Sequence, residues 1–376
     1  MENSKINVLH VIDKLSMDGT NPSSCTKLFV DWMPKFDADK FNVKVCTLRD
    51  PDPAGKVLED IGVDVFYINK GKISPANITE IETLIQKHKI DIVHLHGYSA
   101  ANFGRIAARR QGIKNVVHEH AILKVQPHQY VADWLLRNKT DAAIAVSGAV
   151  KDFMMSGRHV PENTIRVIEN GIDIEKFAAP SREVIENARK QYGIPDGQKV
   201  IGTLTRFREE KGNLYLIEAM QDIFKQHPDT VCVLFGDGPL RDELKQLVKT
   251  LNIEKHVLFP GFVNDIHTAY HLFDVMVIPS LSEGFGLVLV EAMASSRACV
   301  ATKIGGMVDI LDDGTTGFFV PPKDAVAIAV QVNKLLADDT LRDSLGRAAK
   351  LASEKYTMQH NVDALMELYQ GLMYRS

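Results

Sequence analysis

Cysteine is scarce: four residues in 376, at Cys25, Cys46, Cys232 and Cys299, with no close pair and no metal-ligand spacing. That excludes a disulfide framework, and reduced, mostly buried thiols fit a cytoplasmic protein. No apolar run approaches the roughly 20 residues needed to span a bilayer. The N-terminus leads from Met1 to Lys5 straight into "INVLHVI", without a signal-peptide pattern. An excess of positive charge is also missing, because 44 Lys and Arg face 48 Asp and Glu for a net charge of −4. A nucleic-acid partner would leave a basic footprint, so none is expected. Low-complexity tracts and obvious internal repeats are absent, and no Asp-x-Asp metal motif is read at a strand end. What remains is a soluble globular composition, 45% hydrophobic and 24% charged.

At this length two domains are expected. Short β-branched runs alternate with helix-period segments: "INVLHVI", "NVKVCTL", "VDVFYI", "DIVHLH", "KNVVHEH", "DAAIAVS" and "IRVIENGID" read as strands. After about Phe177 the rhythm restarts with "KVIGTLTRF", "TVCVLFG", "HVLFPGF", "DVMVIPS", "ACVATKI" and "GFFV". Uninterrupted apolar strands with crossover helices mean parallel sheets covered on both faces. The expected fold class is therefore α/β, two doubly wound, Rossmann-like domains. The first covers residues 1–175 with a returning C-terminal helix at 360–376, and the second covers 176–359. Ligands of such sheets bind beyond the carboxyl ends of the strands, so the strand-end loops are the places to look.

Three strand ends carry candidate chemistry. In "TLTRFREEKGN", Arg206 and Lys211 bracket a loop before a helix start, which suits a diphosphate; a solvated charged loop is the plainer alternative. "FGDGP" supplies a glycine turn whose Asp237 reads more simply as structural. "SLSEGFGLVLVEAMASS" frames an apolar run with Glu283 and Glu291. Placing Glu283 in the loop before a helix starting near Leu287 lets both acids reach parts of one extended ligand. The backbone N–H groups of Phe285, Gly286 and Leu287 would face a phosphate. A helix-start charge and a salt-bridged glutamate are the structural alternatives.

Taken in order, "VIENGID..KF", "RFREEKG", "FGDGP", "DVMVIPS", Glu283-x7-Glu291 and "ATKIGGMVDILDDGTTGFFVPPKD" resemble the retaining GT-B glycosyltransferases of family 4, along nearly the whole chain. The resemblance implies that Arg206 and Lys211 hold the donor diphosphate, Glu291 the ribose hydroxyls and Glu283 the transferred sugar. Backbone amides of Phe285, Gly286 and Leu287 would contact sugar or phosphate. His120 of "VVHEHA" would stand near the anomeric carbon, with His118 the runner-up; a histidine filling a polar gap is the alternative for either. Gly19 of "MDGTNPSS" matches the first of the family's two loop glycines, whereas Thr20 replaces the second. Thr205 and Asp309 also depart from the usual glycine and glutamate.

The implied activity is transfer of a sugar from a nucleotide-diphosphate sugar to a hydroxyl acceptor, such as a saccharide, glycolipid or small molecule. It proceeds with retention and needs no metal or other cofactor. A GT-B nucleotide-sugar epimerase is the alternative enzyme, and a binding module without turnover is a third reading. The segment "LKVQPHQYVADWLLRNK" reads as an ordinary amphipathic helix, with weak peripheral membrane contact as the alternative. "NVDALMELYQGLMY" is expected to cross back onto the first domain. Donor base, acceptor, linkage and oligomeric state are not encoded in these patterns.

Overall fold

The structure is a computed structural model that describes residues 5–16, 19, 21–263 and 265–374. The chain forms two compact units, residues 1–171 with 358–376 and residues 172–357.

The first unit holds β1 (Ile6–Ile12), β2 (Phe41–Thr47), β3 (Val65–Tyr67), β4 (Ile92–His96), β5 (Lys114–Glu119), β6 (Ala142–Ala145) and β7 (Ile165–Val167). They pair in parallel in the order β3-β2-β1-β4-β5-β6-β7. The second unit holds β8 (Lys199–Leu204), β9 (Thr230–Phe235), β10 (Val257–Gly261), β11 (Val275–Ile278), β12 (Ala298–Thr302) and β13 (Phe318–Val320). Their order is β10-β9-β8-β11-β12-β13, again all parallel. In both sheets the strand order reverses beside the unit's first strand, between β1 and β4 and between β8 and β11. That reversal opens a crevice at the carboxyl ends of the strands.

Burial explains the strand sequences. All six residues of β9, "TVCVLF", are buried, as a strand covered on both faces requires. The helix Asn213–Gln226 covers one face of the second sheet with Leu216, Ile217 and Met220. In the first unit the returning helix Met358–Tyr374 packs Val362, Leu365, Leu368 and Tyr369 into the same core as Phe29 and Trp32.

The helix Pro127–Leu136 differs from the amphipathic helix read from the sequence. Its Asp133 is buried, 3.0 Å from Arg105 and 3.1 Å from Arg158. The opposite face exposes Tyr130, Val131, Trp134 and Leu135, each 47–61% accessible. A charge turned inward onto two arginines fixes the roll of the helix, and that roll sends the large apolar side chains outward. The inward charge is tolerable only because it is paired, since an isolated buried carboxylate costs several kcal/mol.

Candidate active site

In the second unit the loop after β8 and the loop after β11 are tied together. Glu210 O accepts the N–H of Leu281 at 2.8 Å. Lys211 Nζ lies 3.0 and 2.7 Å from the two carboxylate oxygens of Glu283, and both side chains are mostly buried. The two residues thus meet at one hollow, lined also by Thr203, Thr205, Pro279, Ser280 and Val288. Arg206 donates to nothing among the described residues, and it is half-buried on the same loop.

Glu283 lies in the loop, and the helix Leu287–Ala294 begins four residues later. Its N-cap is Gly286 at φ +116°, a conformation that L side chains rarely adopt. No side chain caps this helix. Leu289 and Val290 turn their N–H groups back to Gly286 O. The N–H groups of Leu287 and Val288 precede any intrahelical acceptor and point out of the helix start. Gly305 supports the arrangement from behind, because a Cβ there would stand 1.9 Å from Glu283 O. Phe285 is buried against Tyr356, so only its backbone is available to a ligand. One helical turn further, Glu291 bonds the buried Tyr270 hydroxyl. Burial and that carboxylate hold the phenol well above its usual pKa, so Tyr270 keeps its proton and donates.

"FGDGP" is structural. Asp237 accepts the N–H of Gly238 at 2.7 Å and pairs with Arg241 at 3.1 Å. A Cβ on Gly236 would meet Thr205 O at 1.8 Å, so the glycine lets this turn pack on the loop that carries Arg206. Asp309 is exposed, and its carbonyl accepts from Tyr356 Oη at 3.1 Å.

Gly19 and His120 belong to the first unit. Gly19 has φ +89° and donates its N–H to Ser16 Oγ at 3.2 Å; Thr20 lies outside the described residues. His120 is one of five histidines on a single face at the β1/β4 switch point. His10 sits on β1, His94 and His96 on β4, His118 on β5 and His120 just beyond it. Residues two apart share a face of a strand, and the register sets His10 beside His94 and His96 beside His118. Hydrogen-bond distances link His10 Nδ1 to His96 Nε2 (3.0 Å), His96 Nδ1 to His120 Nε2 (3.0 Å) and His94 Nε2 to His118 Nδ1 (3.1 Å). Tyr369 Oη joins the arms, 2.5 Å from His94 Nδ1 and 3.3 Å from His10 Nε2. Burial lowers all five pKa values, to about 3 for His10, to about 4 for His120 and well below 6.5 for the others. The rings are therefore neutral at pH 7. The sequence reading missed His10, His94, His96 and Tyr369. The alternation of histidines in "VHLH" and "VHEH" was the available signal.

Two triplets, His10 with His94 and His96, and His96 with His118 and His120, bring ring nitrogens within 4.8 Å of one another. The three linked pairs, His10–His96, His94–His118 and His96–His120, lie within 12–21° of parallel with centroids 5.1–5.3 Å apart and meet edge to edge, whereas His94–His96 and His118–His120 stack at 4.4 and 4.0 Å. The arrangement suits hydrogen bonding better than a metal ion. Two Asp-x-Asp sequences do occur, and one, Asp50-Pro51-Asp52, follows β2 closely, which corrects the sequence reading. Asp52 caps the helix Pro53–Asp60, and in the other Asp37 accepts from Asp39 N and pairs with Lys40.

Comparison with known proteins defines the class. A glycosyltransferase of Rickettsia africae superposes over 99% of this chain and all of its own, with TM-score 0.88 at 21% identity. Anabaena HepE in complex with UDP covers 97% of this chain and all of its own, with TM-score 0.85 at 23% identity. The fold is that of the GT-B glycosyltransferases. Residues 184–352 match the family described as "Glycosyl transferases group 1", and residues 29–176 match "Glycosyltransferase Family 4". The chain belongs to the group 1 glycosyltransferases. An uncharacterized glycosyltransferase of Methanocaldococcus jannaschii is 33% identical over 65% of this chain, a stretch that spans 63% of that protein. UDP-Gal:alpha-D-GlcNAc-diphosphoundecaprenol alpha-1,3-galactosyltransferase of Escherichia coli is 29% identical over 78% of each chain.

Proposed function

We propose that the protein transfers a sugar from a nucleotide-diphosphate sugar, UDP-linked in the first instance, to a hydroxyl acceptor with retention and without a metal. The Lys211–Glu283 pair at the β8/β11 crevice carries this reading. Without donor, the ammonium and carboxylate neutralise each other. A diphosphate draws Lys211 toward itself together with Arg206, which leaves the Glu283 carboxylate to accept sugar hydroxyls. The helix start at Leu287 adds N–H donors, and Glu291 is set by Tyr270 to take the ribose. In the transfer step the bond from C1 to the diphosphate oxygen breaks while the acceptor oxygen bonds to C1. The acceptor proton passes to the departing phosphate oxygen on the same face. The cationic pair stabilises the leaving charge in place of a metal, and His120 orients the sugar. The UDP complexes of HepE and the UDP-galactose donor in the E. coli relative's name support the choice of base. The matched relatives named above are glycosyltransferases, so the epimerase alternative has no support from them.

For the acceptor, the outward apolar face of the helix Pro127–Leu136 favours a substrate presented at an anionic lipid surface. The exposed charges between residues 121 and 139 are Lys124 and Lys139, both basic, and the half-buried Arg137 stacks over Trp134 at 4.3 Å. Large apolar residues ringed by basic ones suit the headgroup boundary of a bilayer. None of the described helices is long and apolar enough to cross a membrane. Four free thiols, three of them buried, support a reducing compartment such as the cytoplasm. The test is incubation with UDP-sugars, with and without extracted bacterial lipids. Sugar-labelled lipid with release of UDP is expected, whereas donor isomerisation without acceptor would overturn transfer. Flotation with phosphatidylglycerol vesicles should recover the wild type and not Trp134→Ser/Leu135→Ser. Equal recovery of both removes the helix from membrane docking.

A further inference from the structure

The histidine cluster of the first unit has an order that its links impose. Every imidazole contact joins an Nδ1 to an Nε2: His10 to His96, His96 to His120, and His118 to His94. A neutral ring carries one proton, on one of its two nitrogens. Where an Nδ1 meets an Nε2, one must donate and the other accept, so linked rings bear their protons on the same kind of nitrogen. Tyr369 extends the rule across both arms, since it faces Nδ1 of His94 and Nε2 of His10. Burial keeps the phenol protonated, and its single O–H is donated to one arm while its oxygen accepts from the other.

We infer that His10, His94, His96, His118 and His120 share one tautomer, and that Tyr369 is the positioning residue that locks the two arms together. Only two states satisfy every link. With all five rings protonated at Nδ1, Tyr369 donates to His10, and His120 presents an Nδ1–H. With all five protonated at Nε2, Tyr369 donates to His94, and His120 presents an Nδ1 lone pair. The open ends of the chain, His120 Nδ1 and His118 Nε2, are buried and have no partner among the described residues. In either state one end is a donor and the other an acceptor. A group that contacts His120 Nδ1 therefore sets the protons of four other rings and of a tyrosine on the C-terminal helix.

The alternative, mixed tautomers, leaves two lone pairs or two protons facing each other in at least one link. In a buried site this leaves desolvated groups without a partner. The meaning for catalysis rests on His120 standing at the sugar, as proposed above, but the tautomer order does not depend on that reading.

Long-range 1H–15N correlation spectra of the intact protein at pH 7 test it, with ring resonances assigned by single His→Gln variants. Without donor or acceptor, so that a failed transfer assay leaves the result standing, all five rings should show the same tautomer. In Tyr369→Phe, folding being checked by circular dichroism, the arms are released. The ring nitrogens of His120 or His118 should then shift, although neither touches residue 369. Mixed tautomers within the wild-type chain would overturn the inference on their own. So would a folded Tyr369→Phe protein in which the His118 and His120 nitrogens stay where they were.

Discussion

The two units place different chemistry on the same topology. Each sheet reverses its strand order beside its first strand, and each gathers polar groups at that point. In the first unit these groups are neutral rings linked to one another, with only the two chain ends, His118 Nε2 and His120 Nδ1, left without a partner among the described residues. In the second they are ions, Lys211 with Glu283, beside an open helix start and an unengaged Arg206. A neutral hydrogen-bonded chain holds a fixed arrangement, because breaking any link strands a buried group. A partly exposed ion pair can exchange partners, since an incoming phosphate or hydroxyl replaces what each ion loses. The first unit is thus ordered by neutral links, and the second carries an ion pair whose partners a ligand can replace.

The largest effect should come from the exchangeable side. Glu283→Ala should lower sugar transfer by about 100- to 1000-fold, the scale for losing one group that acts on developing charge. Steady-state assay with UDP-sugar checks it, and near-wild-type turnover would remove Glu283 from the site.

Acid should break the ordered side first. The folded pKa values of the five histidines lie below 6.5, so as pH falls the unfolded chain takes up protons before the folded one does. Stability is complete above pH 6.5 and is lost as pH falls toward 4 for His120 and 3 for His10, by about 1.4 kcal/mol per pH unit for each ring. Both tryptophans, Trp32 and Trp134, lie in the first unit, so their fluorescence reports on it selectively. Its melting temperature should drop steeply between pH 6.5 and 4. A flat profile there would mean that the rings are charged or exposed.

The smallest effect concerns the ribose end. Tyr270→Phe removes one hydrogen bond from Glu291, worth about 1 kcal/mol, and should raise the KM for donor roughly fivefold with kcat nearly unchanged. A selective fall in kcat would shift Glu291 from donor binding toward the chemical step.

Much of this was legible in the residues. The apolar strands of both sheets announce themselves by β-branched runs, and Glu283-x7-Glu291 with its glycines marks the loop-to-helix start. The partnership of Lys211 with Glu283 was not legible, because 72 residues separate them and it takes the pairing of β8 with β11 and the bonds to Glu210 O to bring their loops together. Nor was the histidine chain, since His10 and Tyr369 lie 359 positions apart and their register depends on sheet order. The helix Pro127–Leu136 was misjudged for a related reason. Its pattern contains both a charged and an apolar face, and only the distant partners Arg105 and Arg158 decide which one turns inward.

The central claim is that Lys211 exchanges Glu283 for the donor diphosphate, and calorimetry with UDP tests it most directly. Losing two charge-assisted contacts, at about 1.5 kcal/mol or more each, should weaken UDP binding by Arg206→Ala/Lys211→Ala about 100-fold. Glu283→Ala should bind UDP at least as tightly as the wild type, because the competing carboxylate is gone, while losing affinity for the UDP-sugar. Equal loss of UDP affinity in Glu283→Ala and in the double variant would contradict the exchange.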